Sequence, residues 1–491
     1  MLSPCTAASV PSQSCGRGYS QTRPACSLLE EPRGRPRCHF GGIKTLSQSF
    51  CSGLFGSCGV RGIVGETITE ETVGRLSRAF AQHLGAGAKV CVGRDTRRSG
   101  PMLQEQLVAE LIRGGLDVTT MGVVSTPGLY FLTRELGFDA GVMVTASHNP
   151  PEYNGFKFCN AEGMCADQEA IAERYFNPPA VSATTTGTVT ERDGAQEFFR
   201  CLAEICPPPA RKLRLVVDCA CGPNSLHLPA FLRAQGHEVL EYNCEPDLEK
   251  CDRDPEPMPK TLGNTIAFLR EQQADAGFCF DGDNDRLVFL DREGFLGFQI
   301  GNASIAQIVL EDSASKEVIA SVETGRFVED AIRKVGGTLW RTVVGDVYVA
   351  ATVKARGAAM GTEECGHYIL PRAGFFSETV YPATLMLARR DINSLRQAFS
   401  LQPAVYAADR RIDCLEDRKR DTMGKIAAQM TQLDGKVITL DGVRVDWEDG
   451  WLLVRPSGTS PYMKVNAEAF SQDRLDQLVA MGVGFVQEAL R

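Results

Sequence analysis

The chain has 491 residues, 43% hydrophobic and 23% charged, an ordinary globular composition with room for three or four domains. Its net charge of −9 speaks against a general nucleic-acid binder, and no apolar run reaches the roughly 20 residues of a membrane span. Its 18 cysteines are scattered, often inside apolar runs as at Cys91 and Cys279, so they read as reduced thiols and not as a disulfide framework.

Residues 1–54 stand apart. Glu30 and Glu31 are the only acids against six basic residues from Arg17 to Lys44, and no period of 3.6 or 2.0 persists. This stretch reads as an organellar transit peptide or as a disordered extension. The expected location is therefore cytoplasmic, or organellar if the transit reading holds. The glycine-rich turn around Arg61 follows, where a guanidinium could lie across an anion. Helical spacing covers 70–85 and 102–113, and short strands are expected over 89–93 and 118–124. A further helix opens at Thr126-Pro127, and the apolar run 140–144 is a buried strand. This alternation signals an α/β domain.

The strand over 140–144 runs into Thr145-Ala146-Ser147-His148-Asn149-Pro150-Pro151. Two prolines forbid regular structure there, so Ser147 sits on a rigid turn just past a strand end. A second α/β unit is expected from 194, with a helix over 225–235. Its last strand, 276–280, runs straight into Asp281-Gly282-Asp283-Asn284-Asp285-Arg286. Three carboxylates two residues apart repel one another unless a cation neutralises them, and a hard cation such as Mg²⁺ suits oxygen ligands. An EF-hand loop fails, because Arg286 stands where glycine is needed and Arg292 where glutamate is needed. A third unit carries Glu363, Glu364, Cys365 and His367, which could grip hydroxyl groups. Zinc is disfavoured there, since one cysteine and one histidine lack convincing partners. From 402 hairpin signals surround Asp441-Gly442 and Asp449-Gly450, and a helix closes the chain over 473–490. This smaller α+β unit holds Arg455, Ser457, Gly458 and Thr459, a guanidinium with two hydroxyls and an open backbone N–H, suited to phosphate. The expected domains are 55–193, 194–296, 297–401 and 402–491.

Together these stretches resemble the α-D-phosphohexomutase superfamily: T-A-S-H-N-P-P-E-Y-N-G-F-K at 145–157, D-G-D-N-D-R at 281–286, G-T-E-E-C-G-H at 361–367 and R-P-S-G-T-S-P at 455–461. The form of the first looks most like the phosphomannomutase/phosphoglucomutase branch. The resemblance implies three related α/β domains plus a smaller C-terminal α+β domain around a central cleft. It implies interconversion of hexose 1- and 6-phosphates, of mannose or glucose, through a phosphoserine at Ser147 and a hexose 1,6-bisphosphate that also serves as activator. Ser147, Asp281, Asp283 and Asp285 would hold Mg²⁺. Arg61, His148 and Lys157 would assist proton transfer, with Arg286 beside the metal. Glu363, Cys365 and His367 would take the sugar, and Arg455, Ser457, Gly458 and Thr459 the other phosphate. A phosphoglucosamine mutase is the alternative, and a metal-dependent serine phosphatase a more distant one. The expected partner is a small phosphosugar, with no nucleic acid and no membrane. Cys365 stands where the family usually has serine, and Ser460 where it has glutamate.

Overall fold

A computed structural model describes residues 54–56, 58–178, 186–400, 405–458 and 461–491. Four sheets succeed one another along the chain. The first has seven strands, in the order Phe55–Gly56, Gly59–Ile63, Tyr153–Asn160, Ala140–Val144, Lys89–Arg94, Asp117–Val123 and Val189–Glu191. Ala140–Val144 lies near its middle with all five residues buried, so its far end delivers the serine turn to one edge of the domain. It pairs in parallel with Lys89–Arg94 and antiparallel with Tyr153–Asn160. Local chemistry sets the helix starts. Thr69 caps Glu70–Leu84 by accepting from the Thr72 N–H, and Ser125 caps Thr126–Glu135, which has a proline in its first turn.

The second sheet has five strands, and its central pair frames the aspartate loop. Ala276–Phe280 and Leu287–Asp291 are antiparallel neighbours, with Phe280 opposite Leu287. Residues 281–286 are thus the connection between two fully buried strands. The third sheet has four strands, and the loop 361–367 joins its antiparallel neighbours Met360–Thr362 and Tyr368–Ile369. The fourth is a five-stranded antiparallel sheet covered by helices Lys419–Met430 and Gln472–Leu490. Three α/β domains and a smaller C-terminal α+β domain are therefore present, as expected.

The core divides unevenly. One apolar cluster runs from Cys91 to Phe399 and crosses the first three domains. The fourth has its own, from Cys414 to Ala489. Among the described residues a small apolar patch, Val322 against Trp451 and Leu453, joins the two sides. Two elements differ from expectation. The helix expected over 225–235 is split into a 3-10 turn, Pro223–Leu226, and a helix, Leu228–Ala234, because Pro229 restarts the helix without an N–H to donate. Tyr153–Asn160 adds a strand just beyond the prolines, one that the sequence pattern does not assign. Among the described residues no helix is long and apolar enough to cross a membrane.

Candidate active site

Ser147 occupies the left-handed region, with φ 53°, which costs a non-glycine residue about 1–2 kcal/mol. The surroundings hold it there. Its N–H donates to Thr145 Oγ1 at 2.9 Å, and its carbonyl accepts from Arg97 Nη2 at 2.7 Å. The Arg97 guanidinium also donates to the carbonyls of Pro150 (2.6 Å), Tyr153 (3.0 Å) and Asn149 (2.7 Å), and its Nε to Asp95 Oδ2 at 3.0 Å. Asp95 is fixed in turn by Thr145 Oγ1, which donates to it at 2.7 Å. The turn is thus wrapped around one buried arginine. The Ser147 hydroxyl, almost fully buried, donates to Asp281 Oδ2 at 3.2 Å and lies 3.5 Å from His148 Nδ1. The positive charge of Arg286, then burial and the Arg61 charge, push His148 down to about 2. Its ring is therefore neutral at physiological pH.

Asp281, Asp283 and Asp285 are all buried, and one oxygen from each lies within 4.8 Å of the others. Lys157, from strand Tyr153–Asn160, reaches across the domain boundary to Asp283 Oδ2 at 2.6 Å and Asp285 Oδ2 at 2.7 Å. Burial would discharge Lys157, but the two carboxylates outweigh it and hold the ammonium firmly charged. Burial, then repulsion from Asp285 and Asp283, drives Asp281 well above the usual carboxylate range. For Asp285 burial is outweighed by Lys157, His367 and Arg286, and it stays well below that range. The Oδ1 atoms of Asp283 and Asp285 are buried and accept no hydrogen bond among the described residues. Clustered, oxygen-only and with unpartnered oxygens, this donor set fits a divalent magnesium ion.

Glu363 and His367 meet the aspartates from the third domain. Glu363 Oε1 accepts from the Gly345 N–H at 2.8 Å, and Glu363 Oε2 lies 2.9 Å from His367 Nδ1. His367 Nε2 faces Asp285 Oδ1 at 3.4 Å. Cys365 Sγ is 3.4 Å from His367 Nδ1. Gly366, with φ 90°, lets this loop press on the strand leaving the aspartates; a Cβ there would sit 2.5 Å from the Leu287 carbonyl. Arg286 donates to Glu256 Oε1 at 2.8 Å, and its backbone N–H to Asp281 Oδ1. Arg455 closes the far side. Its Nε donates to Glu323 Oε1 at 2.9 Å and its Nη1 to Asp441 Oδ2 at 3.3 Å, and the nearby charge of Glu363 adds to the field that keeps it charged. The Ser457 N–H donates to the Tyr462 carbonyl, and Gly458 is exposed with open space where a Cβ would be. Thr459 and Ser460 lie outside the described residues.

The fold therefore gathers Ser147, His148, Lys157, the aspartates, Arg286, Glu363, Cys365 and His367 in one place. Arg61 joins them through its charge on His148 and Lys157. Sequence reasoning missed Arg97, Asp95 and Thr145, which hold the serine turn, and Thr126, whose hydroxyl donates to Asp283 Oδ2 at 2.6 Å. The available signal was Asp95 and Arg97, opposite charges two residues apart directly after an apolar strand.

Comparison with known proteins agrees with this arrangement. Residues 52–179, 196–294 and 301–400 match the α/β/α domains I, II and III of phosphoglucomutase/phosphomannomutase, and residues 411–483 match its C-terminal domain. A Methanopyrus kandleri protein described as a "probable phosphoglucosamine mutase" is 36% identical over 433 residues, 86% of this chain and 95% of that one. A Methanosarcina acetivorans protein of the same description is 36% identical over 447 residues, 89% and 100% of the two chains. The crystal structure of a phosphoglucomutase/phosphomannomutase family protein from Burkholderia thailandensis superposes with a TM-score of 0.79 at 28% identity, covering 89% of this chain and 97% of that one. With all four domains matched in order around one serine, one acid triad and the loop 361–367, the chain belongs to the phosphoglucomutase/phosphomannomutase family of phosphohexomutases, which are intramolecular phosphotransferases.

Proposed function

We propose that the chain is a phosphoglucosamine mutase, interconverting glucosamine 1-phosphate and glucosamine 6-phosphate. The observation that carries this choice of sugar is the description shared by relatives 36% identical over nearly their whole length. It replaces mannose and glucose, the first expectation from the motifs, as the preferred substrates.

In this reading Ser147 Oγ carries a phosphoryl group and yields it to the free hydroxyl of the sugar monophosphate. The P–O bond to Ser147 breaks as the bond to the sugar oxygen forms, giving a hexose 1,6-bisphosphate. The hydroxyl proton passes toward the neutral His148 ring and ends on Ser147 Oγ. After the sugar turns round, its other phosphoryl group returns to Ser147 by the reverse steps. Ser147, Asp281, Asp283 and Asp285 would hold Mg²⁺, which supplies charge neutralisation on the transferring phosphoryl oxygens. Lys157 and Arg61 keep positive potential at the same point. Glu363, Cys365 and His367 orient the sugar. Arg455, Ser457, Gly458 and Thr459 hold the phosphate that is not moving, a second anion site for which a simple phosphatase has no need. Free hexose 1,6-bisphosphate recharges Ser147 and acts as activator.

The test is purified protein with Mg²⁺, trace glucose 1,6-bisphosphate and, separately, glucosamine, glucose or mannose 1-phosphate, with Ser147→Ala alongside. Fastest isomerisation of the glucosamine compound, lost in Ser147→Ala, is expected. Preference for mannose or glucose refutes the sugar assignment, and phosphate release without isomerisation refutes the mutase.

A further inference from the structure

The loop 361–367 carries a second constellation besides its sugar-facing role. One ligand atom from each of Glu363, Cys365 and His367 lies within 4.8 Å of the others. The fold brings the Glu363 carboxylate, already next to them in the sequence, within reach of both the cysteine and the histidine. The spacing suits a metal. With zinc–sulfur and zinc–nitrogen bonds of about 2.3 and 2.0 Å, a tetrahedral S···N edge is roughly 3.5 Å. The observed Sγ···Nδ1 distance is 3.4 Å. The Glu363 Oε2 to His367 Nδ1 distance is 2.9 Å, so an ion would spread that pair by only a few tenths of an ångström.

The surroundings are those of a built ligand set. Glu363 is anchored through its other oxygen by the Gly345 N–H at 2.8 Å, which leaves Oε2 turned toward the histidine. His367 faces a carboxylate, Asp285 Oδ1, with its other nitrogen at 3.4 Å, the place where metal-bound histidines commonly have an outer carboxylate. That nitrogen makes no hydrogen bond although it is buried. Cys365 is half-buried while Glu363 and His367 are buried, so solvent reaches the set from the cysteine side. Thiolate and carboxylate together cancel the charge of a divalent ion, so the nearby Arg286 guanidinium faces no net cation. The donor chemistry separates this place from the aspartate triad. Sulfur and imidazole prefer zinc-like ions, whereas three carboxylates prefer magnesium.

We propose that Glu363, Cys365 and His367 form a second metal site that takes a thiophilic divalent ion such as Zn²⁺ and, when filled, excludes the sugar from the loop. On binding, the metal replaces the proton between Glu363 and His367 and displaces the thiol proton of Cys365, releasing both to solvent. No redox step is involved. Zinc-like ions would then inhibit competitively with the phosphosugar while Mg²⁺ stays on the triad.

Cobalt is the probe. The full chain, kept reduced and saturated with Mg²⁺, is titrated with Co²⁺ and followed by absorbance. A thiolate-to-cobalt charge-transfer band saturating at one equivalent is expected, absent in Cys365→Ser. Saturating glucose 1,6-bisphosphate is expected to weaken Co²⁺ binding at least about tenfold. No band in the wild type, an equal band in Cys365→Ser, or binding indifferent to the bisphosphate overturns the proposal. If Cys365→Ser fails to fold by circular dichroism, zinc-edge anomalous scattering from wild-type crystals soaked in Zn²⁺ and Mg²⁺ decides. Zinc on these three side chains supports the site, and zinc found elsewhere overturns it.

Discussion

Replacing Arg97 with lysine isolates what holds the serine turn. The guanidinium makes five side-chain hydrogen bonds, to Asp95 and to the carbonyls of Ser147, Asn149, Pro150 and Tyr153. A lysine ammonium keeps the charge but has three donors at one point. At least two of the five acceptors lose their partner. A buried unsatisfied acceptor costs about 1–3 kcal/mol, and water entering from the cleft relieves part of it, so the loss is about 2–4 kcal/mol. At 1.4 kcal/mol per decade, local opening of the turn becomes about 30- to 700-fold more frequent. Hydrogen exchange by mass spectrometry on a peptide spanning 144–158 reads this directly, because the amides of Ser147, Asn149 and Tyr153 are all bonded within the turn. The melting of the whole protein changes less, since the five bonds all lie within the first domain. Mutase turnover should fall by the fraction of molecules whose Ser147 has left its left-handed backbone. An exchange increase below about threefold would refute the claim that one arginine shapes the turn.

Other perturbations test the remaining parts of the site. Asp281→Asn removes one of three mutually repelling buried carboxylates, so the metal-free protein should melt higher than wild type while Mg²⁺ loses its stabilising effect; thermal melts with and without Mg²⁺ check both, and an unchanged Mg²⁺ response counts against the triad as metal site. Arg455→Gln should raise KM for the hexose phosphate about 10- to 100-fold, the equivalent of one or two charge-assisted hydrogen bonds, with a smaller effect on kcat; steady-state kinetics decide, and an unaltered KM removes Arg455 from phosphate binding. Glu364 is pushed up to about 8 by burial and then by Glu468. Its folded state therefore binds a proton that the unfolded state has released, so this stability is present below pH 4.5 and lost as pH rises to about 8. Glu364→Gln should abolish that decline, and calorimetric midpoints of the two proteins should diverge across this window; parallel curves refute the shift.

The site was legible where its chemistry is written in side chains at strand ends. Ala140–Val144 and Ala276–Phe280 are five-residue apolar runs, wholly buried, each breaking into a polar loop. Such a break marks the end of an interior strand whatever the fold around it. What stayed hidden depends on partners that leave no mark in a sequence. Arg97 binds backbone carbonyls some fifty residues away, and any residue could supply them. Glu323 and Asp441 come from separate domains to hold Arg455. The helix Phe298–Asp312 was not read because it is packed on several sides, burying residues all round, and shows no polar stripe to reveal a period. Cys365 and His367 acquire a third donor only when the chain turns at Gly366 and brings Glu363 back beside them.

The division of the core explains why the two ends of the cleft can behave differently. Lys157 of the first domain, Asp285 of the second and Glu363 and His367 of the third form one run of contacts from 2.7 to 3.4 Å. One apolar cluster crosses all three of those domains, so the geometry around Ser147 is built by packing before any sugar arrives. Arg455 stands on a domain with a core of its own and is tied to the third by polar contacts: its pair with Glu323, Arg444 to the carbonyls of Val322 and Thr324, and Arg326 to those of Trp447 and Glu448. Polar contacts at a domain boundary exchange readily with water, whereas an apolar core does not. The proposed reaction, which holds one phosphate for transfer and then releases and turns the whole sugar, calls for that inequality, with the apolar packing at the serine and the polar ties at the arginine.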